Sequence, residues 1–149
     1  MAEFTDWRKL QVYRDSRFES LESKLCTNKG STDPNAFGAI KDLMVFAALV
    51  GFQLGKYEPL SDKSTSTSIL LETYASTNKD SYIYLIALSK EPSLDILKNE
   101  QLRKAISIFE GYCNGGLKHI DSWLMKNLSE PLVTNTLFNQ TLEFLIEND

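Results

Sequence analysis

This chain of 149 residues has few of the side chains on which metal sites and nucleophilic active sites usually depend. It contains one histidine, His119, and two cysteines, Cys26 and Cys113, which form no Cys-x-x-Cys pair. A zinc site with four Cys or His ligands cannot form within one subunit, and we expect no metal and no cofactor. Residues 1–9 show no apolar signal core, so the cysteines are expected to be free thiols in a reducing compartment, with a disulfide as the alternative.

Long apolar stretches are also absent. The longest one spans residues 43–52, which is too short for a membrane helix of about 20 residues. Seven glycines and four prolines exclude collagen-like and low-complexity chains, whereas 42% hydrophobic residues with 8 Phe and 6 Tyr exclude a disordered one. A chain of this length buries roughly 70% of the surface that it exposes when unfolded. We therefore expect one cytoplasmic globular domain without a membrane segment.

Basic residues are not in excess. The formal net charge is −4, from 16 Lys and Arg against 20 Asp and Glu. A dedicated nucleic-acid binder usually has a basic surplus, because phosphate neutralisation supplies most of its affinity. Residues 1–30 carry 6 basic and 5 acidic side chains, whereas residues 127–149 carry none and 4. A broad nucleic-acid surface is therefore not predicted, although this composition is compatible with a local basic patch.

The spacing of apolar residues predicts an all-α fold, a single compact helical domain of about six to seven helices. One helix or two short ones are expected at 5–26, and further helices at 39–54, 82–88, 100–113, 117–128 and 132–147. Residues 69–75 are compatible with either a short strand or a short helix. The turn-rich segment 27–35 is the one candidate linker, so we expect an N-terminal helical arm at 1–30 and a helical body at 31–149.

Glycine and proline positions predict where helices pack closely or end. Gly51 suits close helix packing, Gly55 suits a left-handed C-cap, and Pro59 prevents the helix from resuming. The triplet Asn114, Gly115 and Gly116 predicts the end of one helix and a tight turn into the next. We assign these six residues structural roles.

The helix at 39–54 is apolar on both of its faces. Its second face carries Val45, Phe46, Leu49 and Phe52, opposite the face expected to join the core. A helix that is apolar all round is buried on both sides. It is therefore either the central helix of the domain or the contact surface for another subunit, and these four residues are the candidate interface.

No catalytic constellation is evident in the sequence. His119 and Ser122 share a helix face, but the neighbouring Asp121 points away from Ser122, so the orienting carboxylate of a nucleophile–base pair is missing. The segment from Gly51 to Lys56 lacks the Ser or Thr of a phosphate loop and ends a helix rather than opening one. We expect no enzymatic activity, and Cys113 is interpreted as a small core residue.

Basic and aromatic side chains alternate in the N-terminal arm, near Trp7, Tyr13 and Phe18. Such a pattern can follow a nucleic-acid backbone while stacking bases, although it is equally the outer face of an amphipathic helix. With two lysines of the following body, the candidate nucleic-acid contacts are Arg8, Lys9, Arg14, Arg17, Lys41 and Lys56.

Two stretches resemble a known family. Residues 37–60 contain the pattern formed by Asp42, Phe46, Ala47, Ala48, Gly51, Gly55, Pro59 and Leu60. Residues 108–120 contain Phe109, Glu110, Tyr112, Asn114, Gly115, Gly116 and Leu117. Both patterns, with an apolar helix at 84–88 between them, resemble the small helical proteins called Dnd system-associated protein 4, or DNA phosphorothioation-associated protein 4. The resemblance covers residues 37–125.

The resemblance implies an association with bacterial systems that place sulphur in the DNA backbone and restrict unmodified DNA. It implies no catalytic residue. We therefore expect a non-enzymatic accessory protein that acts through contacts with protein partners of such a system, with self-association as an open alternative. A second hypothesis is a DNA-binding module of the same system that uses the N-terminal arm.

Overall fold

Two helices packed against each other form the centre of this fold. The structure is a computed structural model, and it describes residues 6–26, 36–60, 66–127, 129 and 133–147. The elements follow in chain order: β1 (Gln11–Asp15), α1 (Glu19–Leu25), α2 (Ile40–Leu54), β2 (Ser66–Leu70), α3 (Leu71–Ala75), α4 (Asp80–Lys90), α5 (Leu102–Lys126) and α6 (Val133–Glu147). The central pair is α2 with α5, because these two helices supply most of the buried apolar side chains.

Helices dominate the described residues, which confirms the predicted all-α class and compact helical domain. Six α-helices lie within these ranges, in agreement with the expected six to seven. The predictions at 39–54, 82–88 and 132–147 correspond to α2, α4 and α6. A two-stranded antiparallel sheet accompanies them, with Gln11 opposite Leu70 and Asp15 opposite Ser66.

The helix predicted over residues 5–26 is wrong in its first half, where the chain forms β1 between two 3-10 turns at Trp7–Lys9 and Ser16–Phe18. The side chains of Asp6 and Asp15 accept hydrogen bonds from the main-chain N–H groups of Arg8 and Arg17 at 3.1 and 3.0 Å. These bonds hold the turns, and pairing with β2 satisfies the main chain between them. Tertiary pairing thus overrides the apolar spacing.

The ambiguous segment 69–75 contains both of the expected structures. Strand β2 ends at Leu70 and helix α3 begins at Leu71, whose N–H donates to the carbonyl oxygen of Leu10 at 2.8 Å. Strand β2 begins at Ser66, and residues 61–65 lie outside the described residues. So does the candidate linker at 27–35.

The helix break predicted at Asn114, Gly115 and Gly116 is wrong. Helix α5 continues through these residues from Leu102 to Lys126, so it joins most of the two helices that were predicted at 100–113 and 117–128. A β-carbon on Gly116 would overlap the carbonyl oxygen of Ala47, and one on Gly115 would overlap the carbonyl oxygen of Lys56. The glycines therefore let α5 approach other main chain closely, and this packing outweighs the loss of about 1 kcal/mol in helix propensity at each glycine.

The C-terminal end of α2 forms as predicted. Gly55 adopts a left-handed conformation with φ of 66°, and the N–H of Lys56 donates to the carbonyl oxygen of Gly51 at 2.8 Å. Gly51 itself lies against the carbonyl oxygen of Tyr112 on α5, which confirms its role in close helix packing.

Buried polar contacts fix the N-terminal segment on the rest of the fold. The carboxylate of Glu110 on α5 accepts a hydrogen bond from the N–H of Tyr13 at 2.6 Å, and Arg14 forms a 2.5 Å ion pair with Glu22 on α1. Burial raises the pKa of Glu22 despite the opposing effect of Arg14. Strand β1 is thus tied both to α5 and to α1.

Candidate functional site

The second face of α2 is only partly buried. Val45 is buried in the core, Phe46 and Phe52 are half-buried, and Leu49 remains 38% exposed. Phe46 stacks against Phe37 with ring centroids 5.5 Å apart. The four candidate interface residues therefore divide between core and surface.

An apolar groove of about 330 Å³ separates α2 from α6. It is lined by Phe46, Leu49, Val50, Phe52, Gln53, Thr141, Phe144 and Leu145. Two of these lining side chains, Leu49 of α2 and Leu145 of α6, are exposed, so each helix contributes apolar surface to the groove that solvent can reach.

Helix α6 carries two apolar stripes. The inner stripe packs on the body through the buried Leu137 and through Phe144, whose ring centroid lies 6.2 Å from that of Trp123. The outer stripe is exposed to solvent at 67%, 47%, 61% and 67% for Phe138, Leu142, Leu145 and Ile146. We call these four residues the α6 face. Their spacing at i, i+4, i+7 and i+8 is the sequence signal for an apolar helix face, but only the packing shows which of the two stripes is covered.

The candidate nucleic-acid residues are spread over the surface, and some of them serve the fold. Arg8 lies over the Trp7 ring at 5.3 Å, and Lys9 is exposed. The ammonium group of Lys41 donates to the carbonyl oxygen of Thr73 at 3.1 Å. Arg14 is engaged in its buried pair with α1, as described above.

Two of those six residues, Arg17 and Lys56, meet at a second depression. This cationic cleft has a volume of about 360 Å³ and is lined by Lys56, Tyr57, Glu58, Gly115, Lys118, His119 and Ser122. Arg17 reaches its rim by donating to Glu58 at 2.7 Å. Sequence reasoning missed Lys118 and His119 here, because it placed a turn where α5 continues.

Electrostatic interactions in the cleft favour negative charge. The hydrogen bond from Arg17 lowers the pKa of Glu58, with further contributions from the charges of Arg17 and Lys118. Burial lowers the pKa of His119, and the positive charges of Lys126 and Lys56 lower it further. Burial and the nearby positive charges therefore both disfavour the protonated form of the imidazole.

The geometry offers no nucleophile–base pair at His119. The hydroxyl of Ser122 donates to the carbonyl oxygen of His119 at 2.5 Å rather than facing the imidazole. Cys26 and Cys113 are free thiols, as predicted, and both are buried. Burial raises the pKa of Cys26 to about 11 and raises that of Cys113 as well.

Two kinds of feature are absent from the part of the chain that the structure describes. No group of three or more His, Cys, Asp or Glu side chains there is placed to hold a metal ion. No helix within those ranges is both long and apolar enough to cross a membrane.

A family model described as DNA sulphur modification system-associated protein 4 matches residues 11–143. The chain belongs to this family. The match extends the resemblance seen at residues 37–125 to β1, α1 and most of α6. Neither the curated proteins nor the solved structures that were compared with the chain gave a match.

The family's sequence patterns coincide with the packing of α2 on α5. Gly51 and Gly116 lie where the two helices approach most closely, and Gly55 forms the C-cap of α2. Asn114 donates through its side-chain amide to the carbonyl oxygen of Glu58 at 3.1 Å, which holds the segment before Pro59 against α5. In this chain, the patterns thus describe a packed helix pair.

Proposed function

We propose that this protein is a non-catalytic accessory component of a DNA sulphur modification system, and that it binds a partner protein through the α6 face. Membership of the family supplies the system. The observation that carries the mode of action is the α6 face itself, in which four large apolar side chains lie exposed beside an apolar groove. Contiguous exposed apolar surface of this kind marks interaction sites.

An accessory role is supported further by the arrangement of nucleophilic groups among the described residues. The thiols are buried with raised pKa values, and the Ser122 hydroxyl is turned to a main-chain carbonyl. An activated nucleophile needs a lowered pKa or an adjacent base. The alternative of DNA contact through the N-terminal arm has less support, since Arg14 is paired within the fold and Arg17 is shared by Asp15 and Glu58.

The charge of the segment that carries the α6 face indicates the chemistry of the partner. Residues 127–149 contain four acidic and no basic side chains. A second copy bound in a symmetric contact would bring two such acidic segments together, which costs free energy. We therefore expect a different protein of the same system, with an apolar ridge bordered by Lys or Arg.

The experiment compares the wild-type protein with the double variant Phe138→Ser/Leu145→Ser. The wild type and the variant are each mixed with every purified protein component of the modification system in turn. The mixtures are analysed by size exclusion with light scattering. The wild type is expected to form a complex with one component, and the variant is expected to lose it while keeping its helix content and unfolding midpoint. Replacing exposed side chains leaves the core packing unchanged.

The matched control is Leu85→Ser/Leu94→Ser, which removes two equally apolar side chains, 55% and 74% exposed, on and after α4. This variant is expected to keep the complex. The proposal is wrong if no component binds the wild type, or if both double variants weaken binding equally. A homodimer that only Phe138→Ser/Leu145→Ser disrupts would replace the heterologous partner with a second copy.

A further inference from the structure

The cationic cleft is built by the end of α2 and the middle of α5. The left-handed Gly55 and the hydrogen bond from Lys56 to Gly51 fix the main chain of Lys56 at the C-terminal end of α2. Gly115 allows that main chain to lie directly on α5. Lys118, His119 and Ser122 follow Gly115 at i+3, i+4 and i+7, so α5 presents them along the same side. Two rigid helices thus position the cleft.

Positive charge exceeds negative charge around this cleft, although the whole chain is acidic. Glu58 is the one carboxylate among the residues that line it, and it is already shared by Arg17 at 2.7 Å and Lys118 at 3.6 Å. Within the described residues, Lys56 and Lys126 form no ion pair with a carboxylate. The cations are therefore only partly neutralised by the protein.

The same lysines also act on His119. Its pKa lies below the ordinary value of 6.5, first because of burial and then because of Lys126 and Lys56. Lysines that disfavour a positive charge at the imidazole favour a negative charge close to it.

We infer that the cationic cleft binds the oxygen atoms of a phosphate group. Lysine ammonium groups bind phosphate as point charges, whereas the planar fork of arginine matches carboxylate and phosphate alike. The cleft also offers the ring of Tyr57, which is 46% exposed beside Lys56. An exposed aromatic ring next to lysines is the combination that contacts backbone and bases in single-stranded nucleic acids. The phosphate groups can belong to a nucleic-acid backbone or to a small free phosphate.

The experiment distinguishes these sources with two probes and three proteins. Fluorescence anisotropy of a labelled single-stranded oligonucleotide of about 20 nucleotides is measured at several salt concentrations below about 200 mM. The same proteins are titrated with inorganic phosphate while the NMR signal of the one histidine is recorded, with chloride at equal ionic strength as the reference. The proteins are the wild type, Lys56→Gln/Lys118→Gln and the control Lys24→Gln/Lys90→Gln, whose lysines are exposed on α1 and α4.

Backbone binding predicts that Lys56→Gln/Lys118→Gln weakens oligonucleotide binding by about tenfold or more and lowers the salt slope by about two, while the control changes neither by as much. A free-phosphate site predicts that inorganic phosphate shifts the His119 signal in the wild type and in the control, but not in Lys56→Gln/Lys118→Gln. It also predicts that the oligonucleotide binds no more tightly than inorganic phosphate does. Either result supports the site and names the source. The inference is overturned if neither probe binds the wild type, or if the two double variants behave alike.

Discussion

The α-carbon of Gly116 on α5 lies directly against the main-chain carbonyl oxygen of Ala47 on α2, with no room for a β-carbon between them. The reciprocal contact is also present, because Gly51 on α2 lies against the main-chain carbonyl oxygen of Tyr112 on α5. The two helices therefore approach as closely as their main chains allow. This contact determines where the C-terminal end of α2 lies, and with it the position of Lys56 in the cationic cleft.

Replacing Gly116 with alanine should destabilise the fold. The added methyl group would force the two backbones apart, and overpacking of this kind costs about 1–3 kcal/mol, which exceeds the gain of about 1 kcal/mol in helix propensity. Urea unfolding followed by circular dichroism measures the difference. The control is Gly38→Ala, because a β-carbon at Gly38 meets no atom within 4 Å. Equal stability of Gly116→Ala and Gly38→Ala would contradict the described helix contact.

Replacing Arg14 with glutamine should destabilise the fold, because the role of Arg14 is structural. The change leaves the carboxylate of Glu22 buried without its 2.5 Å partner, and breaking a buried ion pair costs about 3–5 kcal/mol. We expect the free energy of unfolding to fall by roughly this amount at neutral pH. Lys9→Gln, at an exposed position of the same arm, should leave it unchanged within about 0.5 kcal/mol. A loss of oligonucleotide binding by Arg14→Gln without a loss of stability would restore the nucleic-acid role considered for Arg14.

The one histidine should titrate below its ordinary pKa of 6.5. NMR can follow it directly, and Lys126→Gln and Lys56→Gln should each raise the midpoint by removing a positive charge, whereas Lys24→Gln should not. The other titratable groups near His119 are Lys118 and Glu58 in the cleft and Glu143 and Glu147 of α6. A midpoint at or above 6.5 in the wild type would contradict the positive surrounding of the cleft.

The sign of the accompanying change in stability follows from the same shift. As the pH falls below 6.5, the unfolded chain protonates His119 before the folded protein does. This contribution to the free energy of unfolding is therefore lost as the pH falls through the folded pKa, and it is fully present above 6.5. His119→Gln should flatten the dependence over this window. Chemical unfolding at several pH values measures it.

The sequence was a reliable guide where local chemistry decides the structure. The apolar spacing at 39–54, the left-handed Gly55 and the packing role of Gly51 all agree with the structure. The sequence misled where a distant segment decides. Residues 11–15 form a strand because residues 66–70 pair with them, and Gly115 and Gly116 stay helical because α2 lies against them.

The same distinction applies to the two candidate surfaces. Apolar residues of α6 were visible in the sequence, but only the packing of Phe144 on Trp123 shows that Phe138 and Leu145 face outward. The cationic cleft was not visible, since Lys56 and Lys118 lie far apart in sequence and meet only where α5 continues through its glycines.

By itself, then, the sequence determined the helical class, the family and the scarcity of metal-binding and nucleophilic side chains, because composition and short-range spacing are properties of the chain alone. Tertiary structure decided which apolar stripe remains exposed and which charges meet. The physical reason is that glycine has no side chain, so its own chemistry does not indicate which segment it contacts. Whether a glycine ends a helix or lets two helices pack closely depends on which main chain lies next to it in the folded protein.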